Sequence, residues 1–153
     1  MHIADKFVKE GIDVVDYDLF PPREFGIVDK EALDKKIRFV KGDVTDFPLL
    51  LRTIEKHDVD RIIHTAAIMN EDDAKGNPVQ ALKTNVNGTQ VVLEAARLRE
   101  LKRTLYVSTG AVFGKRVDLS QVRETDAPTP VGVYAKTKYM GELLVEMYRD
   151  LYE

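Results

Sequence analysis

The chain has 153 residues, of which 44% are hydrophobic, so it can form a globular domain with a hydrophobic core. Its 23 basic and 26 acidic side chains give a net charge of −3 without a basic stripe, and no apolar run approaches the ~18 residues of a transmembrane helix, so we expect neither a nucleic acid nor a membrane as partner. The absence of cysteine excludes disulfides, thiolate metal sites and a cysteine nucleophile, and it fits a cytoplasmic protein.

Helix-like and strand-like segments alternate along the chain. The predicted strands span residues 12–18, 37–41, 61–65 and 103–108. The predicted helices span residues 2–10, 28–35 (weakly), about 46–56, 78–99 and 132–152. Gly11 is placed to end the first helix, Thr45 or Asp46 to begin the third, and Asn77 with Pro78 to begin the fourth. Strands separated by helices indicate βα units and a parallel sheet, hence an α/β fold.

Small or acidic residues follow every predicted strand, where ligands of parallel α/β sheets bind. They are Asp18, Gly42-Asp43-Val44, Ala66-Ala67 and Ser108-Thr109-Gly110. An acidic residue at the end of a strand in a dinucleotide-binding unit can accept hydrogen bonds from the adenosine ribose hydroxyls. Asp18 is a candidate for this role, and Asp16 is the alternative. For Asp43 alone, an Asx turn or helix cap is the simpler interpretation. We interpret His64 as a packed strand residue, and the three histidines show no metal-ligand spacing.

Tyr134 and Lys138 form a Tyr-x-x-x-Lys pair at the start of the last predicted helix. Residues four apart share one face of a helix, so the ammonium can lie near the phenol. A nearby cation lowers the pKa of a tyrosine from its ordinary value of ~10, and such a tyrosine can move protons to and from an alcohol. The pattern is short, however, and taken alone it also fits an ordinary helix.

Taken in order, these motifs resemble those of the extended short-chain dehydrogenases/reductases, in the group of NAD-dependent nucleotide-sugar epimerases and dehydratases. The matching segments are 13–18, 42–46, 64–67, 85–89, 107–114 and 134–138. The resemblance covers essentially the whole chain. It implies a Rossmann-type doubly wound parallel sheet, NAD as cofactor and a small-molecule substrate, a nucleotide sugar.

The resemblance also assigns roles. Tyr134 would be the acid/base of hydride transfer, and Lys138 would lower its pKa and hold the nicotinamide ribose. Thr109 would hydrogen-bond the substrate oxygen, Ser108 would support the cofactor side, and Asn85 would orient backbone near the site. The implied catalytic residues are Thr109, Tyr134 and Lys138. The implied cofactor-binding residues are Asp18, Asp43, Val44, Ala66, Ala67, Asn85, Ser108, Tyr134 and Lys138.

Three features depart from the family pattern. The dehydratase branch follows its threonine with Asp-Glu, whereas Gly110-Ala111 stand here, which favours an epimerase or a simple reductase. No G-x-x-G-x-x-G loop is present, and residues 1–5 resemble the helix that follows it. We therefore expect the sheet to lack its first, central strand and the chain to lack the C-terminal substrate domain, so that residues 1–153 are a partial dinucleotide-binding domain of a longer enzyme.

Two function classes follow from this interpretation. The longer protein is an NAD-dependent nucleotide-sugar epimerase or reductase, or the chain is a non-catalytic α/β remnant or interaction domain; an unrelated α/β binding domain is a third alternative. Without a glycine loop to hold the pyrophosphate, we expect residues 1–153 by themselves to bind NAD poorly and to show no turnover.

Family members commonly pair through the two long helices in a four-helix bundle, so a homodimer is also predicted. The apolar residues assigned to that surface are Val91, Val92, Leu93, Ala95, Ala96, Tyr139, Met140, Leu143, Leu144, Met147 and Tyr148.

Overall fold

A computed structural model describes residues 2–21, 37–114 and 121–152, so the weakly predicted helix over 28–35 lies outside the described residues. The chain forms two compact units, Met1–Val59 and Asp60–Glu153. Within the described ranges, no helix combines the length and the apolar character needed to cross a bilayer.

The first unit contains one pair of parallel strands. Its elements are α1 (His2–Lys9), β1 (Val14–Asp18), β2 (Ile37–Lys41) and α2 (Phe47–Lys56). Strands β1 and β2 pair in register from Val14 opposite Ile37 to Asp18 opposite Lys41. The buried apolar side chains of this unit are Val8, Ile37, Val44, Leu50 and Ile54.

Local sequence accounts for the helix ends of this unit. Gly11 has φ +81°, the left-handed conformation that glycine adopts most easily, and it ends α1 as predicted. Of the two predicted caps of α2, Asp46 is the one observed, because its Oδ1 accepts a hydrogen bond from the Leu49 N–H at 3.0 Å. Pro48 lies in the first turn, where its missing N–H costs no helical hydrogen bond.

The second unit contains the other strand pair and most of the helices. Its strands are β3 (Arg61–His64) and β4 (Arg103–Tyr106). Its helices are α3 (Glu71–Gly76), α4 (Pro78–Leu82), a π-helical turn (Lys83–Asn87), α5 (Gly88–Leu98), a short 3₁₀ helix (Gly110–Phe113) and α6 (Val133–Tyr152). Strands β3 and β4 are parallel, with Arg61 opposite Arg103 and His64 opposite Tyr106.

Two helical features differ from the prediction. The helix predicted over 78–99 begins at Pro78 with Asn77 as its N-cap, but its middle is the wider π-helical turn that contains Asn85. Helix α3 was not predicted, although Asn70 accepts hydrogen bonds from two N–H groups of its first turn and three acidic residues follow, which is a helix-start signal. Periodicity misses both because one is a local widening and the other has only 6 residues.

The α/β fold with parallel strands is confirmed. In the described part of the chain the strands form two separate parallel pairs, β1 with β2 and β3 with β4, which fits an incomplete sheet. The core of the second unit is built from α5, α6 and the 3₁₀ helix. Its buried apolar residues include Val92, Leu93, Ala95, Val112 and Ala135.

Candidate functional site

A buried asparagine connects three segments of the second unit. Asn85, only 1% exposed, accepts a hydrogen bond at Oδ1 from the Ile68 N–H at 2.7 Å. Its Nδ2 donates to the Ile68 carbonyl at 3.1 Å and to Thr137 Oγ1 at 2.9 Å. A buried amide must satisfy its polar atoms, so these bonds hold the backbone that follows Ala66 and Ala67 against α6. Both alanines are half-buried.

The backbone of Tyr134 is held on both sides. The Thr137 hydroxyl donates to the Tyr134 carbonyl at 2.9 Å. The Glu71 carboxylate accepts hydrogen bonds from the Val133 N–H at 2.8 Å and from the Tyr134 N–H at 2.9 Å. The peptide groups around Tyr134 are therefore fixed by one side chain of α6 itself, Thr137, and by one from outside this helix, Glu71.

Lys138 carries a buried ammonium. It is 3% exposed, its Nζ donates to the Val107 carbonyl at 2.6 Å, and Nζ lies 4.0 Å from the centroid of the Tyr106 ring. Burial lowers the pKa of Lys138 from 10.5 to about 8, against an opposing effect of the Glu142 charge. Within the described residues, no hydrogen bond joins Lys138 to the Tyr134 hydroxyl.

Tyr106 packs against the backbone of α6. Its hydroxyl donates to the Lys138 carbonyl at 3.1 Å, and burial, with the charges of Glu142 and Tyr134 adding to it, raises the pKa of Tyr106 to about 12. Gly141 makes this contact possible, because a Cβ there would lie 2.6 Å from Tyr106 Cζ. The aromatic ring that lines Lys138 is therefore a neutral hydrogen-bond donor at ordinary pH.

Two hydroxyl side chains follow β4. The Ser108 hydroxyl donates to the Glu142 carboxylate on α6. Thr109 Oγ1 accepts a hydrogen bond from the Ala111 N–H at 3.2 Å and so caps the 3₁₀ helix. Because Thr109 Oγ1 acts there as an acceptor, its hydroxyl hydrogen can still be donated to a ligand oxygen.

His64 is a packed strand residue, as its position in β3 predicts. It is 4% exposed, and its Nε2 lies 3.0 Å from Thr89 Oγ1, which donates to the Asn85 carbonyl at 2.6 Å. Burial, with the charge of Lys138 second, lowers the pKa of His64 to about 4, so its imidazole is neutral at pH 7. Over residues 2–21, 37–114 and 121–152, no cluster of three or more histidine or carboxylate side chains could hold a metal ion.

The first unit carries the acidic candidates at the carboxyl end of β1. Asp18 is exposed at the strand end, and its Oδ1 accepts a hydrogen bond from the Phe20 N–H at 3.0 Å. Asp16 is half-buried, and burial, together with the charge of Asp18, raises its pKa. Of the two carboxylates, that of Asp18 is the more exposed.

Asp43 and Val44 form the turn after β2. Asp43 Oδ1 accepts hydrogen bonds from the Thr45 N–H and the Thr45 hydroxyl, both at 2.8 Å, so the Asx turn considered for this residue is observed. Val44 is buried. Tyr17 packs over Gly42 and its hydroxyl donates to the Asp43 carbonyl at 2.9 Å, and a Cβ on Gly42 would overlap the Tyr17 ring.

Three residues of the site were not identified from the sequence: Glu71, Tyr106 and Glu142. Glu142 follows Lys138 by four residues and therefore lies on the same face of α6, a signal that could have been used. Tyr106 ends β4, beside the strand-end hydroxyls that were identified. Glu71 is 62 residues away from its partner Val133 in sequence, and only folding brings the two together.

The apolar surface of the long helices is smaller than predicted. Val92, Leu93 and Ala95 of α5 are buried within the second unit, so they belong to its core. The large hydrophobic side chains that are exposed on α5 and α6 are Leu98, Met140, Leu143, Met147, Leu151 and Tyr152.

Comparison with known proteins gives one consistent result. A model of the NAD dependent epimerase/dehydratase family matches residues 1–153. A candidate UDP-glucose 4-epimerase of Methanocaldococcus jannaschii is 32% identical over 152 residues, which cover 99% of this chain and 48% of that protein.

Solved structures agree with the family match. UDP-glucose 4-epimerase of Thermotoga maritima, solved with UDP-glucose, is 26% identical with a TM-score of 0.86, over 99% of this chain and 48% of that one. UDP-glucose 4-epimerase of Brucella ovis, in complex with NAD, is 28% identical with a TM-score of 0.84, over 99% and 44%. The chain thus spans about half the length of these proteins, and the predicted Rossmann-type α/β fold is confirmed.

We expect the Lys138 ammonium to titrate near pH 8, because its burial disfavours the charged form. Replacing Glu142 by Gln should lower the pKa of Lys138 further, since it removes the negative charge that opposes this effect. NMR of the lysine side chains across a pH series measures both values. The matched control is Glu146→Gln, an exposed carboxylate of the same helix, which should leave the titration unchanged. An identical Lys138 titration in Glu142→Gln would contradict this account of the site.

Proposed function

This chain belongs to the NAD-dependent epimerase/dehydratase family, and we propose that the protein that carries it moves a hydride between NAD and a carbon of a nucleotide sugar. One feature supports this most directly. The Tyr134 backbone and the Lys138 ammonium are both held by hydrogen bonds to segments that follow β3 and β4, where the ligands of parallel α/β sheets bind. Because the chain spans about half the length of its relatives, residues 1–153 are proposed as the partial dinucleotide-binding domain of that protein.

The residues present fit NAD. The exposed carboxylate of Asp18 can accept hydrogen bonds from the two adenosine ribose hydroxyls. The backbone around Gly42, with Asp43 and Val44, offers an adenine-side turn. Near the reacting end, Ala66 and Ala67 present small side chains that allow a flat ring to approach. NAD, when bound, accepts the hydride from the sugar carbon.

The chain's own groups handle the proton that leaves with that hydride. Tyr134 takes the proton from the sugar hydroxyl as its carbon is oxidised to a ketone, and it returns the proton when the ketone is reduced. Thr109 donates a hydrogen bond to the same oxygen. Lys138, charged below about pH 8, supplies positive charge beside the reacting groups and holds the nicotinamide ribose. Ser108, through its bond to Glu142, secures the loop that carries Thr109.

The proposed reaction is epimerisation or simple reduction. In an epimerase, the ketone formed from the sugar is reduced from its opposite face, which inverts the configuration of that carbon. In a simple reductase, the substrate is itself a ketone and is reduced once. The Gly110-Ala111 pair supports these over dehydration, because it lacks the Asp-Glu carboxylates that follow the threonine in the dehydratase branch. UDP-sugars are the first substrates to test, since the Thermotoga maritima epimerase was solved with UDP-glucose.

In the full-length protein that carries this chain, replacing Tyr134 by Phe should reduce turnover by ~10²- to 10⁴-fold while NAD binding stays nearly intact, because only the proton-carrying hydroxyl is lost. Lys138→Ala should lower both the rate and NAD affinity, since Lys138 serves both. Sugar epimer formation and nicotinamide absorbance give the rates, and calorimetry gives the affinity. Normal kcat in Tyr134→Phe would assign the proton transfer to another group. NAD binding without turnover of any nucleotide sugar would instead support the non-catalytic alternative.

The cofactor should be NAD rather than NADP, because Asp18 would lie close to the 2′-phosphate of NADP. Two like charges ~4 Å apart repel by about 1 kcal/mol in water and by about 4 kcal/mol at an effective dielectric constant of 20, which corresponds to about fivefold to a thousandfold in affinity. Titration of both cofactors measures the ratio of the NAD affinity to the NADP affinity. Asp18→Asn should lower this ratio. Asp13→Asn, which neutralises an exposed carboxylate before β1, should leave the ratio unchanged. Tighter NADP binding by the unaltered protein would overturn the assignment of Asp18.

We also propose a homodimer through the exposed apolar face of α5 and α6. Met140, Leu143, Met147 and Leu151 recur every three or four residues and so form one stripe along α6. Sedimentation should show a dimer that Leu143→Glu dissociates. The control Val79→Glu, which is equally a charge on an exposed apolar residue, should leave it intact. A monomer at high micromolar concentration would contradict this surface assignment.

A further inference from the structure

We propose that Glu71 is a positioning residue that sets the location of Tyr134 relative to the loop following β3. This inference rests on the proposed function for the role of Tyr134, but the contact itself stands on geometry alone. Glu71 is the first residue of α3, and both oxygens of its carboxylate are used by α6. They accept the Val133 N–H at 2.8 Å and the Tyr134 N–H at 2.9 Å.

These bonds replace a local helix cap. The first N–H groups of a helix have no partner within it and are usually satisfied by a side chain at the preceding residue. Here the preceding residue is Gly132, which has no side chain, and the cap comes from 62 residues away. A carboxylate is well suited to this position, since it is attracted by the positive end of the helix dipole and makes charge-assisted hydrogen bonds.

The absence of a side chain at Gly132 leaves room for the Glu71 carboxylate. Its φ of +88° lies in the left-handed region that glycine adopts readily. A Cβ at this position would lie 2.6 Å from the Glu71 carboxyl carbon. Any other residue at 132 would therefore push the carboxylate away from the two N–H groups that it caps.

The consequence is that Tyr134 is tied to one loop by two routes. Its N–H is bonded to Glu71, which follows the loop after β3 directly. Its carbonyl is bonded to Thr137, which is bonded to Asn85, and Asn85 holds Ile68 in that same loop. Ala66 and Ala67, the residues proposed to lie beside the cofactor, belong to this loop as well. Glu71 thus couples the position of the proposed acid/base to the proposed cofactor wall.

The first test measures the contact in the full chain by amide hydrogen exchange. In Glu71→Asp, whose carboxylate is one methylene too short, the Val133 and Tyr134 amides should exchange about tenfold faster. Glu71→Gln keeps the length and one acceptor oxygen, so its exchange should be intermediate. Asp72→Asn neutralises the neighbouring exposed carboxylate and should change neither amide. Unchanged exchange in Glu71→Asp would overturn the proposal whether or not the protein has the proposed activity.

The second test separates positioning from mere stabilisation. In the full-length protein that carries this chain, Glu71→Asp should lower kcat about tenfold with KM and NAD affinity within about twofold, and Glu71→Gln should recover part of kcat. Gly132→Ala should cost less stability in a Glu71→Ala background than in the unaltered protein, because the carboxylate that its methyl group displaces is gone. An unaltered kcat together with faster amide exchange would show that Glu71 only caps α6, and it would overturn the positioning role. Absence of turnover in the unaltered protein would contradict the proposed function and leave the exchange result to decide the role of Glu71.

Discussion

The second unit depends on the need to satisfy one buried amide. Leaving a buried donor or acceptor of Asn85 unpaired would cost about 1–3 kcal/mol per group. Separating the segments that supply its partners would therefore cost free energy of this size. Those partners are the backbone of Ile68 and the hydroxyl of Thr137. The π-helical turn is the local distortion in which Asn85 lies, and wider turns of this kind are frequent at functional sites. The loop after β3 and the start of α6 are in this way held as one piece.

Electrostatics in this unit is organised around a buried cation. Lys138 has a carbonyl and an aromatic face as its immediate partners, and the nearby Glu142 is turned to Ser108. The positive charge of Lys138 also contributes, after burial, to lowering the pKa of His64, which keeps its imidazole neutral. Burial lowers the pKa of Lys138 to about 8, which is compatible with the role beside Tyr134 that we propose for it.

In each of the two units, candidate residues lie in the segments that follow the parallel strands. In the first unit these are the carboxylate of Asp18 and the Asp43–Val44 turn, which we propose for the adenosine end of NAD. In the second they are the Ala66–Ala67 and Ser108–Thr109 segments, which we propose for the reacting end together with Tyr134 and Lys138 of α6. The chain belongs to the NAD-dependent epimerase/dehydratase family and spans about half the length of the relatives it matches.

Most of the element types, the parallel direction of the strands and the family can be predicted from the sequence alone, because the alternation of strands and helices and the six ordered motifs are local signals. It also selected Tyr134, Lys138, Thr109 and Asn85 as candidates. The contacts that these residues make follow from how the folded chain packs. Glu71 reaches α6 from 62 residues away, and Val92 and Leu93, which are apolar enough for an interface, are core instead. Contacts between distant segments depend on how helices pack, and no periodicity in one segment records which residue of another will lie against it.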